Sequence, residues 1–246
     1  MTASGAHDRG ARGPYKNGLK RRREIVQAAG LVFGQYGYHG GSLRTIAEMV
    51  GTTPATLAAY FTNKEGLLVA VLEAWSDATP GVLEAWSDAT SGDDGSARGL
   101  DHFRVYILVM EYHTQHRGLI ELFLTMSTEA TQPDHPARPF IIERQLMTIR
   151  TMVENIELAA DIGQIPAMTP AVAEWEARLL VAVLDGIELE WLLDPTLDLV
   201  GIVRHHLDGT IARWSGRPLE EVAAATDTWM ERKGRHVRDD QSDEVG

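Results

Sequence analysis

The stretch Ser42 to Phe61, SLRTIAEMVGTTPATLAAYF, leaves this chain the least freedom. Ser42 can cap a short helix whose apolar positions Leu43, Ile46, Ala47 and Val50 recur at helical spacing, and Gly51 can supply the left-handed backbone that ends it. A second helix follows at once. Thr53 is placed to cap it, Pro54 suits its first position, where a missing N–H costs nothing, and Leu57 and Phe61 give an i, i+4 apolar stripe. Two short helices joined by a Gly-containing turn make a helix-turn-helix, whose second helix has the dimensions to enter a DNA major groove.

The surrounding chain is organised in the same way. No segment alternates apolar and polar residues for long, so the fold expected is all-α: an N-terminal three-helix head and a larger C-terminal helical body. Residues 1–18, polar and Gly-rich, read as a basic arm without order of its own. The head then runs over 19–66. Lys20, Arg21, Arg22 and Arg23 lead into an apolar face of Ile25, Ala28, Ala29, Val32, Phe33 and Tyr36, which ends at Gly37. A basic cluster at a helix start opposes the helix dipole, which favours phosphate contact over a stabilising role. Asn63 caps a fourth helix that begins at Lys64.

The body is expected over 67–231. Helical faces recur at Leu100–His116, Leu119–Thr128, Ile141–Leu158 (Leu146, Ile149, Met152, Val153, Ile156), Thr169–Asp194 (Trp175, Leu179, Val183, Ile187, Trp191) and Leu199–Trp214. A weaker helix follows Pro218, and 232–246 reads as a disordered charged tail. Near the start of the body VLEAWSDATPG (71–81) is followed directly by VLEAWSDATSG (82–92), identical at ten of eleven positions. A single pair of copies is too few for a repeat architecture and reads as a tandem duplication.

Charge separates the two parts. The net charge is −12, yet residues 1–67 carry +5 and the remainder −17. A basic head can bind phosphate while an acidic body repels it, which would orient the molecule on a duplex. The chain has no cysteine, so disulfides and thiolate metal sites are out of reach. It has no apolar run long enough to span a bilayer and no signal-peptide pattern, so a cytoplasmic protein with no membrane partner is expected. No nucleophile elbow, phosphate loop or metal set marks an enzyme, and no cofactor is expected.

Gly37 to Trp75, GYHGGSLRTIAEMVGTTPATLAAYFTNKEGLLVAVLEAW, after a basic and then apolar first helix, resembles the N-terminal DNA-binding domain of TetR-family transcriptional regulators. The matching features are Gly37 with Tyr38, the Ser42 cap, Ile46-Ala47, Gly51, Thr53, Tyr60-Phe61, and Lys64 with Leu67. The resemblance implies a homodimer on a palindromic operator in double-stranded DNA, usually a repressor, that dissociates when a small, largely apolar effector fills the body. By position it implies operator contacts at Arg44, Thr45, Thr52, Thr53, Ala55 and Thr56, and phosphate contacts at Tyr60 and Lys64, beside the basic Arg21, Arg22 and Arg23. Ala58 departs from the family, which often has an aromatic there. The reading helix also lacks Arg, Lys, Asn and Gln, so base readout must lean on Thr groups, Arg44 and groove shape. The alternative is a helical module that binds ligands or proteins and has lost DNA binding.

Phe103, Tyr106, Met110, His113, Met126, Met147, Met152, Trp175 and Trp191 are the candidates to line a ligand cavity, although such stripes more often fill interiors. His113 and His116 lack a third ligand at metal-binding spacing. The helices of 170–193 and 197–214 are the expected dimer surface, with Ala182 and Gly186 allowing close approach.

Overall fold

The computed structural model describes residues 13–75 and 99–243, and every regular element among them is an α-helix. In chain order these are α1 (Gly13–Gly40), α2 (Leu43–Met49), α3 (Pro54–Phe61), α4 (64–75), α5 (Leu100–Gln115), α6 (Arg117–Glu129), α7 (Arg138–Asp161), α8 (Pro170–Leu193), α9 (Leu199–Ser215) and α10 (Leu219–Asp243). None is long and apolar enough to cross a membrane. Most of the tandem repeat and residues 1–12 of the expected arm lie outside the described residues.

Two boundaries differ from the sequence reading. α1 starts at Gly13, inside the stretch expected to be an arm, and α10 continues to Asp243, through the stretch expected to be a tail. Once a packed segment nucleates a helix, added turns require no core of their own, and apolar content alone misplaces such ends.

The chain divides into two compact units, the first comprising residues up to Trp75 together with Glu121–Arg138. Its interior is built from Ile25, Ala29, Val32 and Phe33 of α1, Ile46 and Ala47 of α2, Leu57 and Phe61 of α3, and Leu67 and Leu68 of α4, all buried. Tyr36, expected on the buried face of α1, is 55% exposed. The helix breaks at the next residue, Gly37, before a further turn can wall it in. Leu122 and Met126 complete the core from the 121–138 segment, where Trp75 stacks on Phe123 at 5.0 Å. Gly34 lies close to this segment: a Cβ there would stand 3.2 Å from the Leu122 nitrogen, and the Thr125 hydroxyl donates to the Gly34 carbonyl.

The second unit holds the rest. α5 and α9 share Phe103, Ile107, Val203, Leu207, Ile211 and Trp214, with the Phe103 and Trp214 rings edge to face at 5.0 Å. Gly99 offers no side-chain cap to α5; the Leu100 and Gly99 N–H groups donate instead to Gln164 and Asn155. Thr169 caps α8 and Asp198 caps α9 in the ordinary way. α10 packs through Trp229 on Val105 and Leu108, and a buried polar relay fastens it: Arg104 Nε donates to the Thr226 hydroxyl at 3.0 Å, which donates to Asp208 at 2.6 Å.

α8 corrects the sequence reading most. Its buried face is Ala173, Ala177, Leu180, Leu184, Glu188 and Trp191. Trp175 and Leu179, expected inward, are 63% and 61% exposed. The helix carries two apolar stripes, and periodicity detects a stripe without telling which one meets the core. Leu146 on α7, also expected inward, is 47% exposed.

Candidate nucleic-acid interface

The cap of α2 forms as its sequence dictates: the Ser42 hydroxyl accepts the Thr45 N–H at 3.0 Å. Thr53 repeats the device for α3, accepting the Thr56 N–H at 3.2 Å with Pro54 at the first position. Each cap hydroxyl also touches a second, Ser42 to Thr45 at 2.8 Å and Thr53 to Thr56 at 3.1 Å, so both helix starts carry a pair of exposed hydroxyls. Gly51 adopts φ +63 in the turn between them, as expected. Arg21 secures that turn from α1, donating to the Val50 carbonyl at 2.5 Å and pairing with Glu24 at 2.9 Å. Arg22 lies over the Phe61 ring at 5.1 Å, and Arg23 is exposed.

On the outer side of the pair stand Arg44, Thr45, Thr53, Ala55, Ala58, Ala59 and Tyr60, all exposed, with Thr52 and Thr56 half-buried. Arg44 pairs with Glu48 at 2.9 Å, which holds its guanidinium above the usual range while leaving it 84% exposed. The α3 surface is therefore small and nearly featureless, with three alanines and a tyrosine edge. Such a surface reads groove shape and thymine methyls better than hydrogen-bonding patterns.

α4 begins beside it through a tight reversal. Thr62 has φ +67 and ψ −53, and Asn63 N–H donates to the Phe61 carbonyl at 2.7 Å, the geometry of a strained γ-turn. Asn63 then caps α4 by accepting the Gly66 N–H at 2.8 Å. A Cβ on Gly66 would meet the Phe61 carbonyl at 2.2 Å, so only glycine fits. This delivers Lys64 to the head surface, where its ammonium sits 4.6 Å from the Tyr38 ring centroid and 3.4 Å from the His39 carbonyl. Partial burial lowers its pKa, and Glu129 opposes that shift. The ammonium stands in the first turn of α4, held at the head surface by Tyr38 and His39, where an anion could reach it.

The candidate ligand-lining residues do not form one set. Phe103 and Met152 are fully buried, and Met110 and Trp191 nearly so, within the second unit, whereas Met126 belongs to the core of the first. Met147 and Trp175 are 60% and 63% exposed and stand on the outside of their helices among the described residues. Tyr106 and His113 are half-buried on one face of α5. Here the structure adds residues that the apolar-stripe reading passed over. His113 Nδ1 lies 2.5 Å from Glu188 on α8. Asp185, one turn before Glu188, is pushed up to about 6 by burial and then by Glu188, against the pull of Arg144 from α7. Burial lowers the Arg144 pKa, opposed by Tyr106, Asp185 and Glu188, and burial raises that of Tyr106. Ionisable groups from three helices thus converge inside the body, where apolar residues would serve stability better. Among the described residues no group of three or more metal-ligating side chains occurs.

His102, next to this set and edge-on to the Phe103 and Tyr106 rings, has an Nε2 with no hydrogen-bond partner. Burial pushes it down to about 4. A histidine whose folded pKa lies below the ordinary 6.5 favours the neutral ring, so its contribution is complete above pH 6.5 and is lost as pH falls toward 4. Urea unfolding at pH 7 and pH 4.5 is expected to show wild type losing about 2 kcal/mol more than His102→Phe, with the opposing Asp185 effect common to both. Equal losses would contradict the assignment.

Residues 25–71 match the family described as bacterial regulatory proteins, tetR family. The HTH-type transcriptional regulator RutR of Escherichia coli K12 is 42% identical over 52 residues, 21% of this chain and 24% of RutR, so the matched segment spans about a quarter of that relative. The fold extends further than the sequence match. The structure of SmeT of Stenotrophomonas maltophilia in complex with triclosan aligns with TM-score 0.63 and 19% identity, over 80% of this chain and 92% of SmeT. FadR of Bacillus subtilis in complex with stearoyl-CoA aligns with TM-score 0.58 and 20% identity, over 77% of this chain and 97% of FadR.

Proposed function

We infer that this chain, which belongs through residues 25–71 to the tetR family of bacterial regulatory proteins, is a homodimeric repressor. It binds a palindromic operator and releases it when a small effector binds the second unit. The observation that carries the DNA reading is a pair of capped helix starts together with a held ammonium on one small unit: exposed hydroxyls at Ser42, Thr45 and Thr53, an exposed Arg44, and Lys64 fixed over Tyr38. Hydroxyls, helix N-termini and cations hold phosphates and set register, while Arg44 is the side chain best able to read a guanine edge.

These roles separate experimentally. Lys64→Ala is expected to weaken binding to every duplex alike and to reduce the slope of log K against log salt by about one. Arg44→Ala should instead relax sequence preference. Fluorescence anisotropy at a series of salt concentrations measures both. A wild type that binds no duplex even at low salt would sink the reading and favour a module that no longer engages DNA.

Dimerisation is supported by the outer stripe of α8. Trp175, Leu179, Ala182, Gly186, Leu189 and Leu193 follow one another at intervals of four and three residues, and all are exposed. That spacing is a helix-pairing seam, and a Cβ at Gly186 would meet nothing within 4 Å, so a second helix can approach closely. Leu179→Glu is expected to leave the protomer folded and to reduce the mass measured by light scattering to that of one chain, 27.1 kDa. A variant that keeps twice that mass would exclude this face.

The effector reading draws on the convergent Tyr106, His113, Arg144, Asp185 and Glu188, and on neighbours solved with triclosan and with stearoyl-CoA. Phe103, Met110, Met152 and Trp191 supply apolar surface in the same unit. An effector with a polar end on an apolar body suits that combination.

A further inference from the structure

The head is held by an acid from far along the chain. Glu129 ends α6, and its Oε2 accepts the Tyr38 N–H at 2.7 Å, at the break in α1. Its other oxygen occupies the space a side chain on Gly37 would fill. His135 Nε2 lies 3.2 Å from the same Oε2. Because His135 Nδ1 accepts the Ala137 N–H at 3.2 Å, the neutral ring carries its proton on Nε2, which lies near the carboxylate but makes no aligned hydrogen bond to it. His135 is 3% exposed, and the rings of Tyr38 and His39 pack edge-on against it at 5.4 and 5.5 Å. Arg138 fixes the connecting loop by donating to the Ala130 carbonyl at 2.8 Å.

These contacts fall where the head can be moved most easily. Residues 37–41 form the turn that delivers Ser42, the cap of α2, and the Gly41 N–H donates to the Gly37 carbonyl at 3.0 Å. The Tyr38 ring and the His39 carbonyl are also the two groups that hold the Lys64 ammonium. A shift of Glu129 therefore displaces the start of α2 and the lysine together. Local residues or water could satisfy the Tyr38 N–H without any such linkage.

We propose that Glu129 and His135 form a latch: they are positioning residues that hold the turn of residues 37–39, and through it Ser42 and Lys64, in the arrangement the DNA-facing surface needs. This rests on the DNA reading above. The test uses the full chain and a duplex selected by wild type from a random pool. Glu129→Gln keeps an acceptor for the Tyr38 N–H and the bulk that His135 packs beside, whereas Glu129→Ala removes both. Operator affinity is expected to fall about tenfold or more in Glu129→Ala and to stay within about threefold of wild type in Glu129→Gln. Amide exchange at Tyr38 and through 43–49 should quicken only in the alanine variant. If Glu129→Ala does not fold, Glu129→Asp, which draws the carboxylate back by one methylene, takes its place. Equal affinities for wild type and the disrupted variant, or equal losses in both substitutions, overturn the latch. A wild-type chain that selects no duplex removes the DNA reading itself, and the latch with it.

Discussion

Gly37→Ala is expected to destabilise the first unit by about 3–5 kcal/mol and to abolish the folded head at moderate temperature. Two effects add. Gly37 sits at φ +71 and ψ 173, a region that essentially only glycine enters and that costs about 1–3 kcal/mol for any other residue. A Cβ there would also stand 2.0 Å from Glu129 Oε1, so the carboxylate must leave and the Tyr38 N–H loses a charged acceptor, about 1.5–3 kcal/mol more. Against a total stability of about 5–15 kcal/mol, that loss is decisive. Gly18→Ala supplies the control, because Gly18 lies in α1 with nothing within 4 Å of an added Cβ. It should gain about 0.5–1 kcal/mol. Urea unfolding followed by a probe in the head measures both, and a Gly37→Ala loss below about 1 kcal/mol would show that the turn is not constrained as described.

Thr226→Val should cost the second unit about 3 kcal/mol or more, although it changes neither volume nor shape appreciably. The Thr226 hydroxyl is fully buried and serves two charged groups, accepting from Arg104 and donating to Asp208, which are themselves 5% and 4% exposed. Arg104 also pairs with Asp101, and Asp208 with Arg204, so neither ion is left alone. Each nevertheless loses a hydrogen bond that buried surroundings cannot replace. Replacing the trio together, as Arg104→Met, Asp208→Leu and Thr226→Val, is expected to be milder than the single change, because both fully buried charges are then gone, Arg204 keeps Asp227, and Asp101, which loses Arg104, is part-exposed. Thermal melts of the three single variants and the triple decide it. Additive losses would show that the three residues act independently and that the relay is incidental.

The head was legible in the sequence because its signals are local. Ser42 and Thr53 each meet an N–H three residues on, Pro54 and Gly51 fit the backbone their own covalent structure prefers, and Asn63 caps the helix it precedes. None of these contacts depends on the rest of the chain. What could not be read depends on distant partners. Glu129 and Tyr38 are 91 positions apart, and the segment around His135 looks from its prolines like a mere interruption. The two stripes of α8 are both apolar, so only the packed structure tells that Leu180 and Leu184 face the core while Trp175 and Leu179 face outward. The ionisable groups of the body illustrate the same limit. Asp185, Glu188 and Arg144 read as a solvated surface in sequence because charge usually lies there, and their burial appears only when α5, α7 and α8 are assembled.

In vitro selection from a random duplex pool tests the central claim most directly, since the protein itself picks out the operator. The account predicts that wild type enriches inverted repeats whose halves lie one helical turn or somewhat more apart, with a base preference carried by few positions in each half. A pool that remains random after repeated rounds at low salt, with the protein folded and dimeric, would contradict it.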